Sequence, residues 1–304
     1  MTTSTRPNGR HEKRTGVRLS NGHATLLRAY FIALARTAPR AAERQAAALF
    51  CLPRRLKHRD VPPLPAVARS RVVELGTKRL AAWTWGAGPQ VLLAHGWEGT
   101  ARDMVPMANA LTRRGCRVTV FDMPAHGRST GRTTTLPEMA RALAAVARAT
   151  GTPDALVGHS LGAAAAVLAM RDEIQASSAA LIAPVAEPWL FLRRLADLLA
   201  FSAQRYDGLI ARVEERAGSP VHAIDGVAAA RTLTARAMIL HDPADRQVPF
   251  AQAEALATAW PGALLHAMPG LGHRRPLFDP EAIERVIEHI APNGHAETNT
   301  EAFS

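Results

Sequence analysis

The sequence predicts an α/β protein built on a mainly parallel, doubly wound sheet with helices on both faces. Three observations predict it. Short apolar runs alternate with helical patterns from about residue 71 to 289, the rhythm of parallel strands joined by crossover helices. The run 90–94 lacks polar alternation after its first residue, as a strand covered on both faces does. Finally, Gly158-His159-Ser160-Leu161-Gly162 carries a strand directly into a helix.

The elements follow in order. Residues 1–20 are polar and basic, the composition of a disordered arm. From 21 to about 50, Leu26, Leu27, Tyr30, Phe31 and Leu34 recur at helical spacing, and Pro39 divides two helices. Four prolines between 53 and 65 mark a linker or wrapping segment. Strands are expected at 71–75 and 80–85, joined by a tight turn at Gly76, and again at 90–94 and 117–121. Further strands fall at 155–157, 179–182, 237–240 and 264–267. Helices are expected at 103–114, 136–150, 161–171, 251–259 and 280–289. The interval 187–231 breaks the alternation. Its Leu190, Phe191, Leu195, Leu198, Leu199, Tyr206 and Leu209 read as a helical cap inserted after the sixth strand. The chain thus divides into a basic N-terminal extension (1–65), a main domain (66–292, with a cap at about 187–232) and a flexible tail (293–304).

Composition excludes several classes. The net charge of +11 is concentrated in residues 1–60, where 13 Lys and Arg face 3 acids; the remainder holds 24 against 23. With no aromatic interleaving or nucleic-acid motif, the basic segment predicts an Arg-rich solubilising extension. Weak contact with an anionic membrane surface is the stronger alternative to it, and specific nucleic-acid binding is not expected. No apolar run approaches the roughly 20 residues that span a bilayer. Residues 29–35, flanked by Arg28 and Arg36, are too short and interrupted for a signal-peptide core. Two cysteines, Cys51 and Cys116, give no disulfide framework, so a reducing cytoplasm is the expected setting. The 12 histidines form no His-Glu-x-x-His helix or Cys/His cluster, and no Gly-x-Gly-x-x-Gly follows the first strand, so neither a metal nor a cofactor is expected.

The chemistry-bearing residues start at Ser160. A glycine two residues before and two after it leaves room for a sharp turn that lifts the hydroxyl clear, at the N-terminus of a helix that favours developing negative charge. A glycine-rich phosphate loop is the competing reading, but no Lys-Ser or Lys-Thr follows. A serine needs an oriented base. Asp245, in the loop after the strand 237–240, and His273, in Gly270-Leu271-Gly272-His273, supply acid and histidine in the chain order such an elbow requires. Each lies just past a strand's carboxyl end, where such sheets gather their ligands. The oxyanion donors are expected to be the backbone N–H groups of Leu161 and Trp97, the latter in His95-Gly96-Trp97-Glu98-Gly99. His95 is read as a structural ring that pins this loop.

Together these residues resemble the α/β-hydrolase superfamily. The matching pieces are His95-Gly96-Trp97, the stretch from Phe121 to Ser129, the Ser160 elbow, Asp245 with Val248-Pro249, and Gly272-His273. They run from about 90 to 275 and leave out residues 1–65. The resemblance implies the α/β-hydrolase fold, a mainly parallel eight-stranded sheet with a lid after strand six. It assigns Asp122 and His126 to a loop that shapes the site. One departure is Asp242, where the family usually has glycine. Asp242 is therefore a second candidate for the acid, and Glu187 a third. The expected activity is hydrolysis of a small carboxylic ester or thioester through an acyl-enzyme. Acyl transfer by the same residues, or a non-catalytic binding protein of this fold, are the alternatives. Trp189, Leu190, Phe191, Leu198, Leu199 and Phe201 are candidates either to line an acyl pocket or to pack the cap onto the core.

Overall fold

The computed structural model describes residues 21–55 and 61–291. The polar arm 1–20 and the tail 293–304 lie outside the described residues. Eight strands form one sheet: β1 (Arg69–Leu75), β2 (Lys78–Trp85), β3 (Gln90–Ala94), β4 (Arg117–Phe121), β5 (Ala155–His159), β6 (Ser178–Ile182), β7 (Arg236–His241) and β8 (Leu264–Ala267). Their order across the sheet is β1-β2-β4-β3-β5-β6-β7-β8. The pairs β1–β2 and β2–β4 are antiparallel, and every later pair is parallel. The order reverses between β3 and β5, so the loops leaving their carboxyl ends lie side by side, at the position where open α/β sheets form their binding crevice.

The helices fill three layers. α3 (Val105–Arg113) and α10 (Pro280–Ile290) cover one face. α4 (Leu136–Thr150), α5 (Leu161–Asp172), α8 (Gly226–Ala230) and α9 (Ala251–Ala259) cover the other. The strands serve both faces alternately. Leu92 and Ala94 of β3 pack toward α4 and α5, while Val91 and Leu93 pack toward α3. The same two-residue period holds in β5, β6 and β7, which explains why these runs carry no polar alternate. The segment expected as one helix at 103–114 opens instead as a 3-10 turn over Ala101–Met104. There Thr100 and Asp103 form a capping box that tightens the first turn.

The third layer joins the chain's start to its middle. α1 (Asn21–Thr37) and α2 (Pro39–Phe50) pack with α6 (Trp189–Leu198) and α7 (Ala203–Ala217) around Phe31, Ala42, Ala46, Leu192, Leu199 and Leu209. Pro39 opens α2 at a position where its missing N–H is not needed. Phe31 meets Phe201 edge-on at 5.9 Å, so Leu199 and Phe201 of the inserted segment pack this layer. Phe191 instead packs against the sheet core. Among the described residues, no helix is long and apolar enough to cross a membrane.

An ion pair crosses this layer. Arg205 Nη1 of α7 lies 2.6 Å from Glu43 Oε1 of α2, with the Glu43 side chain 7% exposed. Gly208 makes the approach feasible, since a Cβ there would overlap the Glu43 carboxyl group. Removing one partner of such a pair strands the other charge away from water. Arg205→Ala is therefore expected to lower the unfolding free energy by about 3 kcal/mol, read as a shifted denaturant midpoint at an unchanged slope. A midpoint equal to the parent's would show that the pair contributes nothing.

Candidate active site

Ser160 makes the turn between β5 and α5 alone. Its φ of +54° and ψ of −119° place a non-glycine residue in a strained conformation, at a cost of order 1–3 kcal/mol. The surroundings hold it there. Its N–H donates to the Ile182 carbonyl at 2.9 Å, and its own carbonyl accepts from Ala163 at 3.1 Å. Three glycines clear the space. A Cβ at Gly158 would sit 2.5 Å from Ala163 Cα, and one at Gly162 would overlap the Ala94 and His95 carbonyls. A Cβ at Gly96 would lie 3.0 Å from Ser160 Cβ. The loop after β3 is therefore pressed directly against the elbow.

His273 and Asp245 meet across the ends of β7 and β8. His273 Nδ1 donates to Asp245 Oδ2 at 2.7 Å, and both side chains are at least 90% withdrawn from solvent. Asp245 Oδ1 accepts from the Gln247 and Val248 amides at 2.7 and 3.2 Å. His241 Nε2 stands 3.3 Å from Oδ2 while contacting the Val248 carbonyl at 3.0 Å. Burial alone would raise the Asp245 pKa. The hydrogen bonds from His241 and His273, the charge interaction with His273 and the Gln247 amide override it, and hold the carboxyl well below the usual carboxylate range.

The other acid candidates are engaged elsewhere. Asp242 accepts from the amides of Ala244 and Gly272, so it anchors the loop that carries His273 and does not meet the ring. Glu187 accepts from Gln252 Nε2 at 2.9 Å, while Gln252 Oε1 receives the amides of Ala186 and Glu187. That arrangement ends β6 and starts the inserted helices.

The loop from His95 to Thr100 is similarly braced. His95 is fully buried; its Nδ1 donates to the Gly96 carbonyl at 2.7 Å and its Nε2 accepts from the Met123 amide at 2.9 Å. The ring is a pin, as expected. His126 Nε2 accepts the Glu98 amide at 3.0 Å, and its Nδ1 donates to the Pro124 carbonyl. Asp122 caps the Ala101 and Arg128 amides. The Gly99 amide returns to the Gly96 carbonyl and the Thr100 amide to Asp103. The amides of Gly99 and Thr100 are thus spent inside the turn, and that of Glu98 on the neighbouring His126 loop. Trp97 sets its ring edge-on to His126 at 5.4 Å. Leu161 is the first residue of α5, where helix N–H groups lack intrahelical acceptors.

Asp245 and His273 are brought into direct contact, and the Gly96 loop is brought against Ser160. Ser160 is not hydrogen-bonded to His273 among the described residues; the two are linked through His159, whose Nε2 donates to the His273 carbonyl at 3.0 Å. Such contacts are commonly long without substrate. His159 and His241 escape sequence reasoning because a histidine's neighbours across a sheet leave no local signal. So does the Arg274–Asp103 ion pair, which joins the histidine loop to the 3-10 turn after β3. The Thr100-x-x-Asp103 spacing was the one local clue to that turn. Among the described residues, no group of His, Cys, Asp and Glu is set to hold a metal ion.

A strained strand-to-helix elbow at the switch point of this mixed eight-stranded sheet defines an α/β-hydrolase fold. The pattern of the Alpha/beta hydrolase family matches residues 91–286, and the chain belongs to that family. No curated protein matches the chain. Among solved structures it is similar to an esterase from Pyrococcus furiosus, at 17% identity and a TM-score of 0.61 over 81% of this chain and 98% of the other. A malate-bound thermophilic esterase from Thermogutta terrifontis gives 20% identity and 0.57, over 76% and 100%. A bromoperoxidase from Bacillus anthracis gives 14% and 0.58, over 74% and 100%. At these identities the likeness is one of fold, and function rests on the site.

The buried rings set a pH dependence. Burial, then the neighbouring His95, lowers the His126 pKa from 6.5 to about 3. Burial, then His273, lowers that of His159 as well. A depressed histidine pKa means that the folded state resists protonation. Its contribution is whole above pH 6.5 and is lost as the pH falls toward the folded value. Unfolding free energy is therefore expected to decline from pH 6.5 toward 4, and less steeply in His126→Gln. Denaturant titrations at four pH values check this; parallel curves for the two proteins would contradict it.

Proposed function

We propose that this chain is a serine esterase that cleaves a small carboxylic ester, or the corresponding thioester, through an acyl-enzyme. The hydrogen bond between Asp245 and His273 is the observation that carries this reading. A buried carboxylate that receives Nδ1–H leaves Nε2 as the basic nitrogen and stabilises the imidazolium that forms when the ring takes a proton.

The reaction follows from these groups. Ser160 Oγ attacks the ester carbonyl carbon while its proton passes to His273 Nε2. The amides of Leu161 and Trp97 receive the charge that develops on the carbonyl oxygen. The tetrahedral species collapses, the C–O bond to the alcohol breaks, and the alcohol leaves with the proton from His273. Water then attacks the acyl-enzyme with His273 again as base, releasing the acid and restoring Ser160. The closeness of Gly96 to Ser160 Cβ supports Trp97 as a donor, because it draws that loop to the nucleophile. Esterases among the similar folds support ester over other acyl substrates. The helices α1, α2, α6 and α7 would act together as the cap, and the half-buried Phe191, Trp97 and Leu161, which pack against one core cluster, would offer an apolar surface for the acyl group.

Labelling with a fluorophosphonate tests the nucleophile: the parent should be labelled and Ser160→Ala should not. On p-nitrophenyl acetate, Ser160→Ala is expected to lose on the order of 10⁴ to 10⁶ in kcat. Asp245→Asn should lose on the order of 10⁴. Asp242→Asn, which keeps an acceptor for one of the two loop amides, should stay within about tenfold of the parent. If Asp242→Asn proves the more damaging, the acid has been misassigned.

A further inference from the structure

Arg54 stands outside the family match, which begins at residue 91, yet it reaches the loop beside the nucleophile. Its Nε and Nη2 donate to Glu98 Oε1 and Oε2 at 2.8 and 2.9 Å, and its backbone N–H approaches Oε1 at 3.3 Å. This two-pronged pairing fixes the orientation of the carboxylate as well as its distance. Glu98 needs holding. Its φ is +59°, a left-handed conformation that a glutamate does not favour, and it directly follows Trp97. The next residue extends the grip. Arg55 donates to the carbonyls of Gly127, Ser129 and Gly131, on the loop whose His126 accepts the Glu98 amide. Two consecutive arginines thus hold both sides of one junction.

An isolated surface ion pair contributes little to stability. What this one fixes is the course of a short, strained loop. We propose that Arg54 is a positioning residue for the oxyanion, clamping Glu98 so that the Trp97 amide keeps the direction the transition state requires. The inference rests on the acyl-enzyme reading above. It makes the N-terminal segment part of the catalytic apparatus of this chain, as an outside brace on the loop after β3.

Such a brace acts on the transition state more than on substrate binding. The test uses the full chain and the variants Arg54→Ala, Arg54→Lys, Glu98→Gln and the Arg54→Ala/Glu98→Gln pair. Steady-state kinetics on p-nitrophenyl acetate, the rate of fluorophosphonate labelling and thermal melts are read together. Arg54→Ala and Glu98→Gln should each lower kcat about tenfold, a fraction of the loss from deleting an oxyanion donor. KM should stay within about twofold, labelling should slow in step with kcat, and the melts should match the parent's. The double variant should be no slower than either single one, and Arg54→Lys should recover part of the rate. Unchanged kcat in Arg54→Ala, losses that multiply in the double variant, or a loss confined to KM would each overturn the proposal. Should Arg54→Ala fail to fold, Glu98→Gln carries the same expectation. A parent that is not labelled overturns the acyl-enzyme reading and this inference with it. A parent labelled no faster than Arg54→Ala overturns this inference alone.

Discussion

The structure depends on one constraint: a serine held at a φ of +54° where β5 meets α5, at the point where the strand order reverses. A turn this sharp has no side-chain room around it. Gly158, Gly162 and Gly96 each remove a Cβ that would strike the helix, the end of β3 or the serine itself. The sheet supplies the remaining restraint, since β5 lies between β3 and β6 and the Ser160 amide bonds to the last residue of β6. Strain of this kind persists only where packing over-determines it. Here the packing comes from the fully buried strands β3 and β6 on either side of β5 and from an alanine-rich helix.

Histidines do much of the bracing. His95, His126, His159 and His241 are all buried, and each contacts a backbone carbonyl. For His126 and His159, burial lowers the pKa and favours the neutral ring. His273 differs from His95, His126 and His159 in that its Nδ1 faces a carboxylate at 2.7 Å; His241 reaches the same Asp245 oxygen only at 3.3 Å, while also contacting the Val248 carbonyl. A carboxylate stabilises a ring that becomes charged, whereas a carbonyl mainly orients it. That contrast separates His273 from His95, His126 and His159 by chemistry, where counting histidines would not.

The loops around the elbow are tied to one another. Asp242 holds the Gly272 amide, Arg274 pairs with Asp103, and His126 accepts the Glu98 amide. Each tie joins segments far apart in sequence. The N-terminal residues enter this network twice, through Arg54 and Arg55 at the site and through Glu43 in the helical layer. The segment expected to be a linker or a wrap is, over its described part, a strap across two loops.

The sequence by itself determined the strands, the elbow and the order of its partners. Buried strands leave unbroken apolar runs, and a sharp turn leaves paired glycines, so β3, β4, α4, α9 and Gly158-x-Ser160-x-Gly162 are legible as local patterns. The surroundings of Asp245 and Asp242 were not local: in the tertiary structure one faces the His273 ring and the other caps amides. Leu199 and Phe201 were equally open, and contact with Phe31 and its neighbours assigned them to packing. The roles of His159, His241, Glu43 and Arg54 also had to wait for the fold. Their partners lie across the sheet or at the opposite end of the chain, and hydrogen bonding over such separations leaves no period or spacing to read.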